Sequence, residues 1–240
     1  MIRIGIVIVV ITFTFQLNAQ GPENKRTLES KAFANLQGLA IKNATDEDGN
    51  MYLNVTGNPF YYDEEMPAVL TYHDGRTVED VKLQVDCYAK EFIFTKDDGQ
   101  RNYLDVDFYK EIKITNGTQT DVYQRVFEDQ PRRLFLILYQ DEQRKLIKIP
   151  EVRHVETSVV GTGGTQAISK FSREDLYDLV EGDKVTRLKF KKKKFYKTFD
   201  KDTASYLKKV AKEKSLSMKE ESDYVVLIKS LAAFQPKNKS

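Results

Sequence analysis

The chain has 240 residues, a formal net charge of +2, 40% hydrophobic and 11% aromatic residues, one cysteine, two histidines and no tryptophan. This composition supports a packed core, excludes a disordered chain, and is too poor in Cys and His for a disulfide framework or a zinc site. The small net charge hides an asymmetry: from Arg187 onward there are 16 Lys and Arg against 6 Asp and Glu, on an otherwise acidic body.

Residues 1–19 read as a secretory leader. Arg3 supplies the positive start, residues 4–15 the apolar run, and Ala19 the small residue before a cleavage that leaves Gln20 as the mature N-terminus. The run is too short to span a hydrocarbon core, which needs about 20 residues, and no second run of spanning length follows. Residues 20–49 form a polar N-terminal segment, in which TLESKAFANLQ could make a short amphipathic helix.

From residue 50 to 199 the spacing predicts a β-meander of nine or ten strands. Asp48-Gly49, Asp74-Gly75, Asp98-Gly99, Asn116-Gly117 and Gly182-Asp183 are tight-turn pairs, and the stretches between them alternate. In VKLQVDC, Val81, Leu83, Val85 and Cys87 share one parity, so Cys87 reads as a buried small hydrophobe. FYKEIKI sets Phe108, Ile112 and Ile114 on one side. RLFLILY, 133–139, is apolar on both parities and reads as a central strand, and RKLIKI as a strand stopped by Pro150. TSVVGTGGTQAIS, 157–169, is uncharged and rich in Gly, Thr and Ser, which predicts a mobile loop.

After Phe199 the period changes. Asp202 is positioned to cap a helix over 203–214, with Ala204, Leu207, Val210 and Ala211 as its apolar stripe. Ser217 and Glu220 have the spacing of a capping box before a second helix that carries Tyr224, Leu227, Ile228 and Leu231 and ends at Pro236. Residues 200–235 are thus a helical pair and 236–240 a tail.

The chemistry is mostly absent. There is no phosphate loop, no nucleophile elbow, no cofactor motif, and DEDGN at 46–50 has the wrong spacing for a calcium loop. No catalytic residue, cofactor or metal site is expected. NAT at Asn43, NVT at Asn54 and NGT at Asn116 match the N-glycosylation pattern. The distinctive stretch is RLKFKKKKFYKTF, 187–199. It reads as a strand near a sheet edge whose lysines discourage edge-to-edge pairing. As an alternative, Lys189, Lys191, Lys192, Lys193, Lys194 and Lys197 contact an anionic surface, a lipid head group or acidic glycan; an exported chain does not routinely meet nucleic acid.

The leader ending in NAQ, the stretch GNPFYYDEE leading to a strand and a DG turn, and KFYKTF followed by helices closing on SDYVVLIKSL together resemble small exported proteins of Bacteroidota. The resemblance implies a periplasmic or cell-surface location and a β-rich fold with a helical end, and transfers no activity. The expectation is an α+β protein: an antiparallel β-rich meander, as a twisted sheet, sandwich or open barrel, with two C-terminal α-helices. Its expected role is a non-catalytic binding or structural module of the cell envelope with an envelope partner that is protein, lipid head group or glycan. The alternatives are the anionic-surface binder and a hydrolase with an unrecognised site.

Overall fold

Tight turns and alternating strands organise the chain as expected. The computed structural model describes residues 52, 55–96, 98–130, 132–161 and 164–234. The leader, the 20–49 segment, Asp48-Gly49, the DEDGN stretch, Asn43, Asn54, Pro236 and the tail lie outside them. The strands are β1 (Val55–Thr56), β2 (Met66–Tyr72), β3 (Thr77–Asp86), β4 (Glu91–Thr95), β5 (Arg101–Tyr103), β6 (Tyr109–Asn116), β7 (Gln119–Gln124), β8 (Phe135–Gln140), β9 (Lys145–Gly161), β10 (Gly164–Glu181) and β11 (Lys184–Leu188). They form one open mixed sheet in the order β1-β10-β9-β8-β7-β6-β2-β3-β4-β5, with β11 also on β10. Only β1 on β10 is parallel. Three helices follow: α1 (Lys192–Lys197), α2 (Lys201–Glu213) and α3 (Glu221–Ser230).

The fold is therefore α+β and strand-rich, open at its ends rather than closed. Successive residues of a strand face opposite sides, and the three apolar clusters follow that rule. Leu70, Leu83, Ile112, Ile114 and Leu136 join Tyr109 and Phe94 in the largest core. Leu146, Leu179 and Leu188 face the helices and meet Leu207, Leu227 and Ile228. Their strand neighbours Ile147 and Val180 turn the other way, onto Phe135. Cys87 is buried among the first group, as its parity predicts.

Four expectations are corrected. RKLIKI does not stop at Pro150: β9 runs through it to Gly161, because a proline is tolerated in a strand whose nitrogen faces away from its neighbour. The 157–169 stretch is not a loop: residues 157–161 end β9 and 164–169 begin β10, and the two strands pair from Val180–Lys145 to Gly164–Gly161. In FYKEIKI a 3₁₀ turn at Val106–Phe108 shifts the parity, so Tyr109 is buried and Phe108 exposed. Residues 187–199 are not one strand. β11 ends at Leu188 and the chain turns into α1, which lets Phe195 and its neighbour Tyr196 both be buried.

The helix boundaries also move. Asp200, not Asp202, caps α2, its carboxylate accepting from the Asp202 and Thr203 N–H groups. No capping box forms at Ser217 and Glu220; the Ser217 hydroxyl and the Met218 N–H both donate to Asp223 inside the first turn of α3. α3 ends at Ser230, and a 3₁₀ turn at Leu231–Ala233 follows.

Candidate functional site: a cationic cleft between the sheet and the helices

The β10–β11 hairpin turns at Gly182-Asp183, where Gly182 takes a left-handed φ of 58° suited to a two-residue connection. Leu188 then enters the helical core and fixes the chain as it leaves the sheet. Two residues later Phe190 slides between two tyrosines. Its ring stacks on Tyr177 of β10 at 3.8 Å and on Tyr224 of α3 at 4.4 Å, nearly parallel to both. This three-ring stack joins sheet, linker and helix.

Beside it opens a cleft of about 680 Å³. Lys189 and Lys191 flank Phe190, Lys194 comes from α1, Lys219 from the approach to α3, and Arg187 from β11. The acidic wall is Glu174, Asp175 and Glu221.

Most of the acidic wall is neutralised. Lys148 of β9 is 8% exposed, and its Nζ lies 3.0 Å from Asp175 Oδ2 and 2.7 Å from Glu221 Oε2. The Arg173 guanidinium donates to Asp175 at 2.9 Å, and the Tyr177 hydroxyl to Glu221 at 2.6 Å. Burial alone would lower the Lys148 ammonium, but the hydrogen bond with Glu221 and the nearby Tyr61 and Asp175 hold it above its ordinary value. Burial would likewise raise Asp175, and its bonds from Arg173 and Lys148 bring it below the usual range. A lysine held so firmly protonated is a structural cation rather than a nucleophile.

Arg187 is also committed, donating through Nε and one Nη to the two carboxylate oxygens of the buried Asp178. Lys189, Lys191, Lys194 and Lys219 make no ion pair among the described residues, and neither does Glu174. Among the described residues, the cleft thus presents four unpaired ammonium groups against one unpaired carboxylate.

The residues expected from sequence divide. Lys189, Lys191 and Lys194 line the cleft, whereas Lys192, Lys193 and Lys197 are exposed on α1 and do not. Sequence reasoning missed Lys219, the Tyr177–Phe190–Tyr224 stack and Lys148. The last carries a visible signal, a cation set between Ile147 and Ile149 in an apolar strand.

Three of the four aromatic residues among the lysines are occupied. Phe190 has a ring on each face, Phe195 is fully buried, and Tyr196 is buried with Lys208 over its ring at 5.6 Å. Base stacking needs a free ring face, and these offer none.

Two smaller hollows are less suited to a ligand. One of about 50 Å³ beside Cys87, Leu134 and Pro150 has room for only a few waters. One of about 290 Å³ contains Glu91, Asp105 and Asp107, with Asp107 paired to Arg132 at 3.1 Å. Among the described residues no group of three or more His, Cys, Asp or Glu is placed to hold a metal ion, and no helix is long and apolar enough to cross a membrane. Comparison with family models, curated proteins and solved structures yields no match.

Proposed function

We propose that the chain is an exported, non-catalytic binding module of the cell envelope that takes an anionic group into the cleft between sheet and helices. One observation carries the reading: four lysines from three separate segments converge on one concavity whose other charges, Glu174 apart, cancel one another. Unpaired ammonium groups around a hollow raise the local concentration of an anion and bind it with screened, salt-sensitive contacts. A concave site favours a compact phosphate, sulfate or carboxylate over a flat charged sheet. The occupied ring faces favour a lipid head group or acidic glycan over single-stranded nucleic acid.

The chemistry is electrostatic and needs no proton transfer. Exposed ion contacts contribute roughly 0.2–1 kcal/mol each, so four together give modest, salt-dependent affinity. Retention of the purified chain on dextran sulfate and on phosphatidylglycerol vesicles tests the reading, and the two supports separate a glycan source from a lipid source. Replacing Lys189, Lys191, Lys194 and Lys219 with Gln abolishes retention, whereas replacing Lys192, Lys193 and Lys197 leaves most of it. Retention that follows the α1 lysines instead, or that persists at high salt, overturns the cleft as the site.

A further inference from the structure

The β9–β10 hairpin is far longer than the sheet that supports it. β8 accompanies β9 only over Lys145–Lys148, β11 accompanies β10 only over Tyr177–Glu181, and β1 only at Ser169 and Lys170. Arg133, Leu134, Ile149 and Pro150 line one small cavity where β8 leaves β9. Beyond Val152, β9 continues for nine residues, about 30 Å at 3.3 Å per residue, with β10 along one edge and no strand of the described residues along the other. Arg153, His154, Glu156 and Ser158 are exposed there. An isolated two-stranded ribbon is marginal in water, and an open edge is a template for another strand.

Pro150 fixes which residues face that edge. It is paired with Asp175 in a ladder without a register shift, and it has no N–H, so its nitrogen turns away from β10. N–H and C=O groups alternate sides along a strand. Val152, His154, Glu156 and Ser158 therefore present theirs to the open side. An antiparallel partner must match outward residues with outward residues, which leaves a second copy only registers centred on a residue.

The charges select among these. Centring on Glu156 sets two glutamates opposite each other, and centring on Arg153 sets two arginines opposite each other. Centring on Thr157 leaves Glu156 facing a serine, and centring on His154 leaves it facing a valine. Centring on Val155 places His154 against Glu156 of the partner subunit and Glu156 against the partner's His154, with Val152 and Ser158 opposed at the ends. A carboxylate directly across a ladder from an imidazole can accept its N–H, whereas like charges placed so are unfavourable.

We infer that two copies of this chain join through the free edge of β9, in antiparallel register about a two-fold axis at Val155. The result is a continuous four-stranded sheet, β10-β9-β9-β10, with about eight new backbone hydrogen bonds from four outward-facing pairs. The interface is isologous, as closed dimers are, and uses none of the cleft lysines.

Sedimentation velocity of the full chain over a concentration series tests this. The wild type sediments as a dimer. Glu156→Pro removes an outward donor and a charge while sparing the β9–β10 ladder, as Pro150 does, and the dimer is lost. Glu156→Lys also loses it, and the double exchange His154→Glu with Glu156→Lys restores it by reversing both pairs; circular dichroism confirms that each variant keeps the wild-type fold. A wild type that stays monomeric at every concentration, a dimer indifferent to Glu156→Pro, or a double exchange that fails to restore association overturns the inference. Retention on dextran sulfate, read separately, still depends on Lys189, Lys191, Lys194 and Lys219 in each of these variants.

Discussion

Replacing Lys148 with methionine tests whether the network beneath the cleft holds α3 on the sheet. The ammonium lies within 3.0 Å of carboxylate oxygens from both Asp175 and Glu221, so those oxygens are at most about 6 Å apart. Without the cation, two carboxylates face each other. At an effective dielectric constant of about 20, unit charges roughly 6 Å apart repel by about 3 kcal/mol. Arg173 and the Tyr177 hydroxyl still partner one carboxylate each, and Glu221 is about a third exposed, which screens it. The expected loss is therefore about 2–3 kcal/mol, at the lower end of what breaking a buried pair costs. For a chain of this size that lowers Tm by roughly 4–12 °C. Urea unfolding measures it, and Glu221→Gln in the Lys148→Met background recovers part by removing one charge while keeping an acceptor for Tyr177. A single-variant loss below about 0.5 kcal/mol, or no recovery in the double variant, refutes the reasoning.

Glu174 is the one cleft carboxylate with no cation partner among the described residues, so Glu174→Gln strengthens retention on dextran sulfate by about two- to five-fold, read as a shift in eluting salt. Cys87 is buried and its thiol is pushed up to about 12, so the native chain reacts with a thiol reagent only as fast as it opens, and urea accelerates the labelling. Asp175 is held below its ordinary value, so its contribution is present above the unfolded carboxylate range and lost as pH falls through the lower folded value; Asp175→Asn flattens the acid limb of a stability-against-pH curve. Phe195→Ala removes a fully buried ring at the join of α1 and α3 and costs about 3–5 kcal/mol by chemical unfolding.

Much of the fold was legible because period and turn chemistry are local. The Asp-Gly and Asn-Gly pairs at 74, 98 and 116, the parity of Val81 to Cys87, and the apolar run of β8 all read out as strands and turns of the sheet. The failures have local causes too. Pro150, Gly161 and Gly164 are breakers by composition, yet a hairpin accepts a proline on its open edge and a pair of glycines at the end of its ladder. Phe190, Phe195, Tyr196 and Phe199 sit among lysines, and charge masked their helical spacing; the rings at 195 and 199 are one turn apart and touch at 5.2 Å. The site was half legible. Lys189, Lys191 and Lys194 announce themselves by density, but Lys219 joins them only because α3 folds back onto β10, a contact between distant segments that no pattern near residue 219 encodes.

The cleft as the place where an anion binds is tested most directly by amide chemical-shift mapping while inorganic pyrophosphate and a sulfated oligosaccharide are added in turn. The account predicts shifts clustered at residues 174–177, 187–194 and 219–224, weakening with salt and vanishing in the Lys189, Lys191, Lys194 and Lys219 variant. Shifts centred on the outer face of α1 and α2, or spread evenly over every exposed lysine, contradict it.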